Sequence, residues 1–114
     1  MPRSDDALLR DMLDAASEIH ALTRRRRRRD LDANRLLGLS LVRLLEIVGE
    51  AAANVSEGFR SEHPEIQWGA IVGMRNRLVH AYSDVSLDIV WSTVRDDIPP
   101  LIEALETALG QRTG

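Results

Sequence analysis

Ten consecutive residues, Gly73-Met74-Arg75-Asn76-Arg77-Leu78-Val79-His80-Ala81-Tyr82, gather two arginines, an amide, a histidine and the only tyrosine of the chain. These are groups suited to acting on a phosphate. A guanidinium grips a phosphate through two parallel hydrogen bonds and offsets the charge that builds up as it is attacked. An imidazole titrating near ~6.5 takes or gives a proton at neutral pH. A base, an acid and an anion stabiliser suffice to cleave RNA by its own 2′-hydroxyl, with no metal or cofactor called for. Spacing alone does not establish this, because an arginine followed five residues later by a histidine is frequent by chance and could equally decorate a helix C-terminus.

The spacing poses a geometric problem. On an ideal helix Arg75 and His80 point roughly 140° apart, so they do not converge within one regular helix. Either the helix unwinds before His80, or an arginine of one subunit meets a histidine of another. Asn76 and His80, four apart, share a face, so the amide is placed to hydrogen-bond the imidazole and fix its tautomer. If the chain is extended after His80, Tyr82 points the same way as that histidine.

The elements that must hold this stretch read as helices. The 114 residues suit a single domain able to bury roughly two thirds of its unfolded surface. The apolar residues are mostly Leu, Ile, Val and Ala with few aromatics, which favours an all-α fold. Ser4, Asp5 and Asp6 make a capped start for a first helix to about Leu22. Asp32 or Asn34 caps a second that runs to about Glu57, apolar over most of its girth. Such a helix is central to a core and, in so short a chain, also reaches a second subunit; small Gly49, Ala51, Ala52 and Ala53 would let that partner approach. Gly58 suits the end of this helix and Pro64 blocks continuation. A third helix spans about Ile66 to Val79. A fourth carries Leu87, Ile89, Val90, Trp91, Val94 and Ile98 until Pro99-Pro100 end or sharply kink it, and a last one closes at Gly110. Trp91 lies on the apolar face and is expected in the core.

Composition excludes several functions. There is no cysteine, hence no disulfide, thiolate zinc site or cysteine nucleophile. His20, His63 and His80 share no metal-ligand spacing, so His63 is expected at the surface and no metal site is expected. The charged N-terminus is unlike a signal peptide, and no apolar run approaches the ~20 residues needed to span a bilayer; the expected location is cytoplasmic. Six of the fifteen basic residues form one run, Arg24, Arg25, Arg26, Arg27, Arg28 and Arg29, and removing these six from a net charge of −3 leaves −9. The run reads as a loop or frayed helix end, either a solvated linker or an electrostatic lure for nucleic acid without aromatics to stack on bases.

The segment Ile71 to Tyr82, preceded by Glu46-Ile47-Val48-Gly49-Glu50-Ala51-Ala52 and followed by Leu87-Asp88-Ile89-Val90-Trp91, resembles the HepT-like members of the HEPN superfamily, toxins of HEPN/MNT toxin–antitoxin pairs. The resemblance covers about residues 8 to 108. Its motif, an Arg, four residues of which the first is polar, a His, any residue and a Tyr, is matched by Arg75, Asn76, His80 and Tyr82. It implies an antiparallel bundle of four to five helices, dimerised so that the Arg and His of both subunits line one cleft. It implies endoribonuclease activity leaving a cyclic phosphate, with Arg75 and His80 catalytic and Asn76 supporting. It implies that Tyr82 accepts AMP from a cognate minimal nucleotidyltransferase antitoxin, adding anions that would repel RNA. Arg77 is an accessory phosphate contact or a surface ion pair. The six-arginine run departs from the family pattern. Two other readings remain: a non-catalytic module that docks or is AMPylated by the nucleotidyltransferase, and a nucleic-acid binder working through Arg24 to Arg29 alone.

Overall fold

Ser4 caps the first helix as its sequence predicts, its hydroxyl accepting from the Ala7 N–H at 3.2 Å ahead of two first-turn aspartates. The computed structural model describes the backbone of residues 3–80 and 86–113, and of the side chains there omits those of residues 75, 77, 79, 80 and 111–113. The described residues form seven α-helices: α1 (Asp5–Thr23), α2 (Arg28–Ala33), α3 (Arg35–Asn54), α4 (Glu57–Glu62), α5 (Trp68–His80), α6 (Leu87–Ser92) and α7 (Ile98–Thr113), the last two joined by a π-helical turn over Thr93–Asp97. There is no strand among the described residues. The all-α expectation holds, with α1, α3, α5 and α7 as the long members of the bundle.

The α3 helix is the hub, packing on α1, α2, α5 and α6, while α1 also lies against α7. Leu9, Met12 and Ile19 of α1 meet Leu41, Leu45 and Val48 of α3 and Leu105 of α7 in a core from which solvent is excluded. Gly49, Ala51 and Ala52 are buried inside this one bundle, so the close approach they permit is used within the chain. What α3 leaves uncovered instead is Leu36 and Leu39, 73% and 54% exposed. Trp91 is half-buried against the core.

Three local expectations are corrected. The long second helix stops at Asn54, because the Ser56 hydroxyl caps a new helix by accepting from Phe59 N–H at 3.2 Å; Gly58 therefore lies inside α4 and not at a C-terminus. Pro99-Pro100 do not end the helical path, which runs on through them in α7. Lacking N–H groups, they leave the carbonyls four residues before them without helix partners, and the chain widens just ahead of them: the Ile98 N–H reaches back five residues to the Thr93 carbonyl. The basic run is only partly a loop. Arg25 takes a left-handed φ of 63° after α1, but Arg28 and Arg29 already belong to α2, whose start is fixed by the Asp30 carboxylate accepting from Arg27 N–H at 2.6 Å.

Leu45→Ala, which empties a fully buried position, is expected to cost about 2–5 kcal/mol of unfolding free energy. Glu50→Ala, at an exposed position of the same helix, is expected to stay within about 0.5 kcal/mol. Urea melts of the two variants check the pair.

Candidate active site

The α5 helix owes its orientation to Ile71, Met74 and Leu78, which recur at helical spacing and pack on the core; Met74 and Leu78 are each 5% exposed. Arg75, Asn76, Arg77 and His80 are therefore all carried by the last two turns of one helix. That helix continues through His80. The first of the two geometric alternatives, unwinding before the histidine, does not occur, and the backbone sets Arg75 and His80 roughly 140° apart. Asn76 is exposed and stands one turn before His80 on the same face. Tyr82 lies outside the described residues.

Beside this end of α5 runs a groove of about 850 Å³, bounded by α2, α3 and α6. Its floor is apolar: Leu31, Leu39, Val42, Leu78 and Leu87. Gly38 lies on it too, and a methyl there would touch the Leu87 side chain at 3.7 Å, an ordinary contact. Charged groups stand along the α2 and α3 side, where Asp32, Arg35, Arg43 and Glu46 line the opening. The two arginines were not among the residues singled out by sequence. Their signal was present as positions 35, 39, 42, 43 and 46, one stripe of α3, but nothing in the sequence told which helix that stripe borders.

Arg28 links the basic run to this region. Its Nε donates to Asp88 Oδ1 at 2.6 Å and its Nη1 lies 3.1 Å from Asp32 Oδ2, tying α2 to the first turn of α6. The bond to Asp88, then that to Asp32, raise the guanidinium pKa further. Arg26 Nε donates to the Leu22 carbonyl at 2.9 Å and so closes the end of α1. Arg24, Arg25, Arg27 and Arg29 are exposed. The run thus divides into residues with structural contacts and residues facing water.

His63 is not the open surface residue expected. Its side chain is 13% exposed, its ring stacks on Phe59 with centroids 4.2 Å apart, and Nδ1 lies 3.0 Å from Glu65 Oε1. Its carbonyl accepts from the Trp68 indole at 3.0 Å, which fixes the entry into α5. Hydrogen bonding within Glu65 itself, then to His63, lowers the pKa of that carboxyl. Among the described residues no His, Asp and Glu group is arranged to hold a metal, and no helix is long and apolar enough to cross a membrane.

A family model described as ribonuclease HepT-like matches residues 12–108. The chain belongs to the HepT-like ribonuclease family, within the HEPN superfamily. The Thermococcus cleftensis protein named "Probable ribonuclease HepT" is 38% identical to this HepT-like chain over 101 residues, 89% of this chain and 92% of that one. A Methanocaldococcus jannaschii protein provisionally named an RNase is 30% identical over 104 residues, covering 91% of this chain and 95% of its own length. No solved structure gives a significant match. Membership supports ribonuclease function for the HepT-like chain.

If Arg28 is the tie between α2 and α6, Arg28→Met should raise amide hydrogen exchange across residues 87–92 while leaving that of residues 41–48 unchanged. Because the ties are partly exposed ion pairs, high salt should narrow the difference between variant and parent.

Proposed function

We propose that this HepT-like chain is a metal-independent endoribonuclease toxin of a HEPN/MNT pair and works as a homodimer. The observation that carries the reading is the helical course of α5 through His80, which holds Arg75 and His80 of one chain on different faces. A two-fold axis resolves this by facing one subunit's arginine with the other's histidine, and it places two of each in one cleft. A surface for such pairing is on hand, since Leu36, Leu39 and Ile89 leave 73%, 54% and 41% of their area exposed.

In this reading one His80 removes the proton from the ribose 2′-hydroxyl, whose oxygen attacks the adjacent phosphorus. The imidazolium so formed returns the proton to the departing 5′-oxygen, and the products are a 2′,3′-cyclic phosphate and a free 5′-hydroxyl. Arg75 anchors the phosphate and offsets the negative charge of the transition state. Asn76, one turn before His80, orients the imidazole; Arg77 supplies an accessory phosphate contact. Tyr82, two residues beyond His80, receives AMP from the nucleotidyltransferase antitoxin, and the added phosphates repel RNA from the cleft.

Purified protein is expected to cut single-stranded RNA in the presence of a metal chelator and to leave cyclic phosphate ends. His80→Ala should lower the rate by at least about a hundredfold, with Arg75→Ala comparable. Undiminished cutting by His80→Ala, or cutting that needs added metal, contradicts the mechanism. Absence of cutting together with a stable nucleotidyltransferase complex would identify a binding module instead.

A further inference from the structure

The charged groups that line the groove beside α5 balance, Asp32 and Glu46 against Arg35 and Arg43, so the groove has no net sign with which to select a polyanion. Their order along α3 says more than their sum. Arg35, Leu39, Val42 and Glu46 follow one another at intervals of four, three and four residues, which sets them within about 60° of arc on one face of the helix. The stripe reads cation, apolar, apolar, anion. Turned end for end, it is its own complement. In an antiparallel pair of α3 helices centred on Ser40 and Leu41, Arg35 stands level with the partner subunit's Glu46, and Leu39 with the partner subunit's Val42. The fold leaves these groups open to such a pairing: Leu39 is 54% exposed, and Arg35, on the first turn of α3, has no ion pair among the described residues. Glu46 meets Arg43 through Oε2 alone, at 3.5 Å, so its other oxygen is available to a second donor.

We propose that a second copy of this chain lays its α3 antiparallel on this one along Arg35, Leu39, Val42 and Glu46, and so covers the groove. The inference rests on the homodimer of the ribonuclease reading and gives it a seam, a register and a pair of charges. An RNA strand or an unrelated helix has no use for a stripe that complements itself; a second copy has. Two-fold symmetry makes every contact twice, so the seam holds two Arg35–Glu46 ion pairs around four apolar side chains. The apolar middle supplies affinity, and the charges at its ends fix the register and exclude a parallel arrangement. Leu78, on the turn of α5 that joins Arg75 to His80, lines the same groove. The seam therefore abuts the motif helix, and association and the placing of the two half-sites become one event.

Sedimentation equilibrium of the full-length protein tests the seam. The unmutated chain should dimerise, and Arg35→Glu, which sets two pairs of like charges face to face, should weaken the dimer at least about tenfold; Glu46→Arg should do the same. An equimolar mixture of these two variants should recover the parent's Kd to within about threefold, because in the mixed dimer both pairs are again opposite in sign. Leu39→Asp, which places a charge in the apolar middle, should also give monomer. Arg10→Glu, the same reversal at an exposed position of α1 outside the groove, should change Kd by less than about twofold. A monomeric parent, a mixture no tighter than its components, or equal effects of Arg35→Glu and Arg10→Glu overturns the seam. A dimer that cuts RNA yet ignores these reversals keeps the nuclease reading and discards the seam. A mixed dimer that re-forms, in a protein that never cuts RNA, does the reverse.

Discussion

The seating of Met74 and Leu78 in the core is the contact on which the candidate site depends. These two side chains, a turn apart and almost fully enclosed, fix how α5 is rotated against α3. Once the rotation is fixed, the positions of Arg75, Asn76 and His80 around the helix follow from its 100° step. A loop could bring an arginine and a histidine together; a helix locked by its apolar stripe cannot. In the proposed reading the bundle supplies a half-site, which a second subunit completes.

The rest of the fold serves that arrangement. The α3 helix carries the core on one side and the groove, with exposed Leu39 on its lining, on another, so one element positions α5 and leaves an apolar surface open beside it. Arg28 and Asp88 join α2 to α6, the element that resumes the described chain after the motif segment. At the other end of α5, the Trp68 indole and the Phe59–His63 stack hold its entry. The entry of the motif helix is thus tied to its neighbours by named contacts, and the element that follows it by the Arg28–Asp88 pair.

Much of this was legible in the sequence where a local rule decides the outcome. The Ser4 cap, the apolar periodicity of α1 and α3 and the motif on α5 depend on residues within a few positions of one another. The misreadings arose where a distant or competing group decides. Ser56 out-competes Gly58 because a hydroxyl that caps a new helix ends the old one. The arginine run folds partly into α2 because Asp30, Asp32 and Asp88 neutralise it, and Asp88 is 60 residues away from Arg28. The proline pair is tolerated because a π turn absorbs the missing donors, a solution no propensity rule specifies. His63 is covered by Phe59, a local neighbour, yet its spacing from other ligands said nothing about stacking.

The central claim is that an active site needs the arginine of one subunit and the histidine of the other, and subunit mixing tests it most directly. Arg75→Ala and His80→Ala proteins, each inactive, are combined under conditions where dimers exchange, and RNA cleavage is followed. Random reassortment makes half of the dimers mixed, each with one complementary Arg–His pair, so activity should recover to about a quarter of that of the unmutated protein. No recovery above either parent, with exchange verified by labelled subunits, would contradict a site shared between subunits.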